Sequence, residues 1–255
     1  MDLEIMISAF VFIFGLVIGS FLNVCIYRIP RGESIAYPPS HCTDCDADIK
    51  AYDLIPVISY IFLGGKCRHC GSKISIKYPL TELFTGIVFV LIYNQYGMSM
   101  DTLKFLILAV FLIVIGFIDF YTTDVYAVTI YPCLAIGVIF TLINKFYLHN
   151  DINSYFIGLI VGLGVIGLIA LITGAMGGGD VEIAALCGIY LGWSNMLVMI
   201  FFAFIVGAII SLILIALKKK TKKDPIAFGP FLAIGAMIAI LFGNQIIKFY
   251  LNIGV

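Results

Sequence analysis

Two aspartates and four cysteines carry the chemistry that this sequence could perform. Asp119 closes an apolar run in "FIDF", and Asp180 follows three glycines, Gly177, Gly178 and Gly179, in "GGGD". The two acids stand 61 residues apart. A carboxylate at membrane depth is costly and marks a functional position by default. Two at one depth suit general acid–base work, in which one takes a proton from water while the other gives one to a carbonyl oxygen. Such a dyad titrates as a unit. Glycine reaches backbone conformations closed to other residues and lets a substrate strand come near. Irregular backbone at membrane depth needs protein cover or water. Asp180 is expected near the N-terminus of the next helix, where the helix dipole favours negative charge. The plainer alternative makes Asp180 a helix cap and Asp119 a solvated helix end. Asp124 in "DFYTTDVY" competes for the second role but reads as a loop or N-cap residue. Glu182 is a helper or a first-turn acid, and Glu82, near Pro79, stays ambiguous.

The cysteines form two pairs, "CTDC" (Cys42, Cys45) and "CRHC" (Cys67, Cys70), with 21 residues between them. Two such knuckles form a tetrahedral thiolate site for zinc. A polar segment this small has little core of its own, and a metal would supply folding energy. A redox pair or free thiols are the alternatives. His41 and His69 adjoin the ligands as bystanders, and Cys25, Cys133 and Cys187 read as small buried residues in apolar runs.

These groups need elements to position them, and composition says which. Of 255 residues, 62% are hydrophobic and 12% charged, against about 45–50% and about 25% in soluble domains. The chain is expected to be an all-α polytopic membrane protein. It has room for about eight transmembrane helices, at 5–25, 79–96, 102–120, 125–143, 155–174, 181–193, 195–217 and 229–249. The sixth is short if it ends at Gly192-Trp193. The expected domains are a first transmembrane helix (1–25), a zinc-binding cytoplasmic domain (26–78) and a transmembrane helical domain (79–255).

Orientation follows from Lys and Arg. The segments 26–78 and 218–228, the latter with Lys222 and Lys223, hold 12 of the 15 basic residues. With eight spans both fall on one side, which is then cytoplasmic, and the loops at 97–101 and 144–154 fall outside. Both termini are expected outside. Asp119 and Asp180 come out at the cytoplasmic face. Net charge is zero, and nothing points to nucleic acid.

With these residues in place, the chain resembles the bacterial type IV prepilin peptidases, intramembrane aspartic proteases of the GxGD type. The resemblance runs nearly end to end. It rests on "GSFLNVCIYRIPRGES" (Gly19 to Ser34), "YDLIPVISYIFLGGKCRHCGSKISIKYPLTEL" (Tyr52 to Leu83), "FIDF" with Pro132, "GGGD", and "PIAFGPFLAIGA" (Pro225 to Ala236). It implies a membrane endopeptidase of the bacterial cytoplasmic membrane that removes the basic leader of prepilins, pseudopilins or competence pilins after a glycine. Asp119 and Asp180 match the family's catalytic aspartates. The resemblance also implies N-methylation of the new N-terminus from S-adenosylmethionine, at a site the sequence leaves unknown, and zinc at the four cysteines. The partners would be those pilin substrates and membrane lipids. The chain departs from the family at Tyr126 and Ala127, where Pro-Asp or Pro-Asn is usual. It departs again at Glu182, where lysine is usual, and at Thr43, where proline is common. Two rival readings are a proton-coupled transporter, which also uses intramembrane acids and broken helices, and a non-catalytic scaffold of a pilus or secretion machine.

Overall fold

The computed structural model describes residues 2–146, 152–174, 176–221, 224 and 226–253. Lys222, Lys223, Pro225 and residues 147–151 of the 144–154 loop lie outside the described residues. The described chain is helical, with two isolated bridges in place of strands. Among the described residues, six helices are long and apolar enough to cross a membrane, so this is a multi-pass membrane protein. The chain divides into two compact units, residues 1–102 and 103–255.

In the first unit, α1 (Asp2–Arg28) and α3 (Lys77–Tyr96) flank a polar segment that contains a short helix, α2 (Ile58–Phe62). Helices α1 and α3 run antiparallel, because Gly15 meets Gly86 and Gly19 meets Glu82 and Thr85. A Cβ on Gly15 would lie 2.8 Å from the Gly86 Cα. Small residues let the two backbones approach where lipid offers no hydrophobic drive for association. Buried Arg28 at the end of α1 donates to the Ser34 and Pro38 carbonyls at 2.9 and 2.7 Å, pinning the start of the polar segment.

The second unit holds most of α4 (Met100–Thr122), then α5 (Ala127–Phe146), α6 (Asn153–Thr173), α7 (Gly178–Ala216) and α8 (Gly229–Ile253). The count departs from eight crossing helices in two ways. The 79–96 segment is helical but is not among the six apolar spans. The expected spans 181–193 and 195–217 appear as one run of 39 residues.

That run is not straight. At about 1.5 Å per residue it would be about 58 Å long, nearly twice the ~30 Å hydrocarbon core. Gly192 sits inside it at φ 76° and ψ 166°, outside any helical region. The packing shows what this does. A Cβ on Gly229 would stand 3.1 Å from Ile183 Cδ1, and one on Gly207 would stand 2.9 Å from the Phe231 ring. Ile183 and Gly207 are thus neighbours of two residues at the start of α8, although a straight helix would hold them about 36 Å apart. The chain therefore doubles back at Gly192. The first leg of α7 lies against α6, where Gly158 faces Gly188 and Gly162 faces Ala184. The second lies antiparallel to α8, where Gly235 meets Met199 and Gly243 meets Asn195. The start of α7, the end of its second leg and the start of α8 share one end of the unit.

Candidate functional site

Asp119 lies in the last turn of α4 and is 4% exposed. Its Oδ2 accepts the Gly229 backbone N–H at 2.8 Å. Gly229 opens α8, and it is glycine for a steric reason: a Cβ there would fall 2.6 Å from Asp119 Oδ2. The same glycine touches Ile183, one turn beyond Asp180 on α7. Asp180 is the third residue of α7 and 8% exposed. Its carboxylate accepts the Gly177 N–H at 3.2 Å, and its own N–H donates to the Gly177 carbonyl at 3.2 Å. This is the local reason the helix begins there, since first-turn N–H groups have no partner within the helix. Three helix ends, those of α4, α7 and α8, thus gather two buried carboxylates.

The competing acids are placed elsewhere. Asp124 is exposed in the loop between α4 and α5, with its N–H on Thr122 Oγ1 at 3.3 Å. Glu182 is half-buried and accepts from the Tyr131 hydroxyl of α5 at 3.4 Å.

The three glycines act differently from the sequence reading. None has a positive φ, and Gly178 and Gly179 already belong to α7. What glycine provides is proximity. A Cβ on Gly179 would meet the Val125 Cβ at 2.6 Å, which presses the start of α7 onto the α4–α5 loop. Gly178 faces open space. The left-handed residue of this stretch is Gly174, which ends α6 at φ 61°.

In the first unit the sulfurs of Cys42, Cys45, Cys67 and Cys70 all lie within 4.8 Å of one another. Cys42 and Cys70 are 3.8 Å apart. Four thiolates around one ion at about 2.3 Å have sulfurs about 3.8 Å apart in a tetrahedron, so the cluster fits zinc. Both knuckles share one backbone pattern. The Cys42 N–H bonds the Ala47 carbonyl and Asp46 N–H returns to the Cys42 carbonyl; Cys67, Ser72 and Gly71 repeat this. The residue after each second cysteine is left-handed, Asp46 at φ 56° and Gly71 at φ 74°. Hydrogen bonds from the Asp44 backbone and the Ser72 hydroxyl bring the Cys42 thiol down to about 6, toward the thiolate that a metal binds. The Arg68 guanidinium grips Asp53 through two bonds of 2.8 and 2.6 Å and holds that carboxyl below its usual range. His41 spends its ring on the Pro39 carbonyl, and neither histidine joins the cluster. Cys25, Cys133 and Cys187 are buried, with Tyr190 donating to the Cys133 carbonyl at 2.8 Å.

The sequence gives Gly229 no role of its own, although it lies in the "FGP" of the motif from Pro225 to Ala236. Gly-Pro at a helix start was the available signal. The sequence also leaves Glu82 open. In the structure Glu82 is 8% exposed and accepts the Val57 N–H at 2.7 Å.

Two family descriptions match the chain: "Bacterial Peptidase A24 N-terminal domain" over residues 13–96 and "Type IV leader peptidase family" over residues 106–212. Curated relatives are similar along nearly the whole chain. A "Prepilin leader peptidase/N-methyltransferase" of Bacillus subtilis (strain 168) is 32% identical, covering 94% of this chain and 96% of its own. Proteins of the same name are 35% identical in Neisseria gonorrhoeae (89% and 87% covered) and 33% identical in Aeromonas hydrophila (95% and 93%). No solved structure matches the chain significantly.

Proposed function

Because the chain belongs to the type IV leader peptidase family, we propose that it cleaves prepilin leaders with Asp119 and Asp180 as its catalytic dyad and methylates the N-terminus it exposes. The observation that carries the dyad is the Gly229 contact: one residue touches the carboxylate of Asp119 and the turn of α7 next to Asp180. Asp124 and Glu182 have no comparable burial at that junction.

The chemistry needs no further group. One aspartate, ionised, accepts a proton from a water molecule as that water attacks the scissile carbonyl. The other, protonated, donates to the carbonyl oxygen; as the C–N bond then breaks, the first passes the water's proton to the leaving amine and the second recovers its own from the gem-diol. The Gly229 N–H fixes the Asp119 carboxylate, and the Gly177 N–H fixes that of Asp180. The start of α7 adds its dipole. Gly178, bordered by open space, leaves room for an extended peptide.

The same end of this unit carries the end of α7 and the lysines Lys218, Lys219 and Lys220 that follow it. Under the excess of positive charge on cytoplasmic loops this end faces the cytoplasm, where a basic leader lies before its apolar segment enters the bilayer. The segment 26–78 then lies on that side, and both termini lie outside. Zinc at Cys42, Cys45, Cys67 and Cys70 ties the two knuckles together in a segment with almost no buried apolar residues. Prepilins are the substrates, with pseudopilins and competence pilins sharing the same cut, and lipid covers the exposed apolar faces.

The transporter reading finds no support at Asp119 or Asp180, which sit at helix ends rather than mid-helix. Purified protein incubated with a prepilin tests the proposal by mass spectrometry. A cut after glycine is expected, followed by a gain of one CH₂ when S-adenosylmethionine is added. Uncut substrate from a folded, zinc-loaded preparation would count against it.

A further inference from the structure

The two cysteine knuckles repeat one set of contacts, 40–49 and then 65–74, with an offset of 25 residues. The bridge between His41 and Asp48 recurs between Lys66 and Lys73. The bond from the Ile49 N–H to the Ser40 carbonyl, 2.8 Å, recurs at the same length from the Ile74 N–H to the Gly65 carbonyl. Each sulfur also receives one backbone N–H in the same pattern. Asp44 donates to Cys42 and His69 to Cys67, then Ala47 to Cys45 and Ser72 to Cys70.

One group breaks the repeat. Positions 47 and 72 share a backbone role: the Ala47 carbonyl accepts the Cys42 N–H at 3.0 Å, and the Ser72 carbonyl accepts the Cys67 N–H at 2.8 Å. Both residues are half-buried. Ala47 ends in a methyl group. Ser72 carries a hydroxyl, and its Oγ stands 3.0 Å from Cys70 Sγ and 3.6 Å from Cys42 Sγ. Those two sulfurs belong to different knuckles and lie 3.8 Å apart. Among the described residues, this hydroxyl is the one side-chain group other than the thiols themselves that bonds a sulfur of the cluster. The fold does not demand it, since alanine serves at the matching position.

We propose that the Ser72 hydroxyl is an outer donor to the zinc-binding thiolates, which tightens metal binding and shields Cys70, and to a lesser degree Cys42, from electrophiles. This rests on the zinc reading above. Four thiolates around one divalent ion carry more negative charge than the ion offsets, so a donor to sulfur stabilises the loaded site. Hydrogen bonds to an ionised acceptor are about twice as strong as neutral ones. Removing a partner of this kind changes metal affinity by about 10–100-fold. The hydroxyl has a single proton, so the nearer sulfur, Cys70, takes the larger share. Cys70 is also the exposed member of the cluster, the other three being half-buried. A thiolate is the nucleophile in reactions of cysteine, and a proton donated to it holds back the electron pair that would attack. Ser72 thus covers the sulfur that solvent reaches most.

The test uses the full chain in detergent, as wild type and as Ser72→Ala. Zinc affinity is measured by titration with a competing chelator. With zinc in excess, limiting iodoacetamide is then added, the alkylation of each cysteine is followed by mass spectrometry, and melting of the loaded protein is recorded. The proposal expects zinc to bind about 10–100-fold more weakly in the variant. It expects faster alkylation at Cys70 first and Cys42 next, with Cys45, Cys67 and the melting temperature close to wild type. Zinc held as tightly as in the wild type would overturn it. So would faster alkylation of all four cysteines alike with a lower melting temperature, which is the mark of a merely structural role. Either result leaves the zinc reading standing, whereas a wild type that binds no stoichiometric zinc would overturn both.

Discussion

Gly229→Ala is the substitution that separates the proposed dyad from general packing. The added Cβ would lie 2.6 Å from Asp119 Oδ2, 3.1 Å from Ile183 Cδ1 and 3.2 Å from the Asp119 Cγ. Ordinary contact needs roughly 3.4 Å or more between such atoms, so the carboxylate must retreat by about 0.8 Å. That movement stretches the 2.8 Å bond from the Gly229 N–H past hydrogen-bonding range. A bond to a charged group contributes about 1.5–3 kcal/mol, and a displacement near 1 Å at a reacting group costs about 100-fold in rate. The expected outcome is a folded protein whose kcat for prepilin cleavage falls about 30- to 100-fold, with KM changed much less. Gly116→Ala is the control. It lies on the same pair of helices, but its Cβ would meet Ala233 at 3.6 Å and Pro230 at 3.8 Å, both ordinary contacts. Its rate should stay near wild type. Full activity in Gly229→Ala, or equal loss in both variants, would refute the claim that this glycine positions a catalytic carboxylate.

Other perturbations reach the remaining parts of the account. Gly179→Ala places a Cβ 2.6 Å from the Val125 Cβ. Overpacking of this kind costs about 1–3 kcal/mol, so a lower melting temperature in detergent and slower cleavage are expected together. Gly192→Ala forces a side chain onto φ 76° and to 2.7 Å from the Ser154 hydroxyl. It should destabilise the fold by at least about 1 kcal/mol, read by thermal unfolding, and a melting curve unchanged from wild type would contradict the reversal. Cys42→Ser or Cys67→Ser should lose stoichiometric zinc by elemental analysis. Chelation of the wild type should raise hydrogen exchange across 40–75 and leave α4 to α8 protected.

Some of this was legible in the sequence because it rests on composition and short spacing. The apolar runs bound the helices to within a few residues. The two Cys-x-x-Cys pairs anticipated a cluster whose sulfurs do converge, because a knuckle is a local backbone pattern. Asp119 and Asp180 stand at the edges of apolar runs in the sequence and at helix ends in the structure. What the sequence hid is non-local. The break at Gly192 was anticipated, because the expected spans 181–193 and 195–217 divide there, but the packing of the two legs of α7 against α6 and α8 was not. The steric demand at Gly229 depends on a carboxylate 110 residues away. The link from Glu82 to Val57 joins a helix to a loop through one hydrogen bond, which no periodicity records. A run of glycines signals freedom of φ as readily as close approach, and of the two the structure shows close approach, with ordinary φ throughout and Gly179 against Val125.

The most direct measurement is the rate of prepilin cleavage by Asp119→Asn and Asp180→Asn beside the wild type, each with zinc content and melting temperature checked. Asparagine keeps the size and the hydrogen bonds to Gly229 and Gly177 but can neither take nor give the proton. The account predicts a loss of at least about 10²–10⁴-fold in each single variant, with folding retained. Wild-type cleavage by either one would show that the proton is handled elsewhere and would contradict the assignment of the dyad.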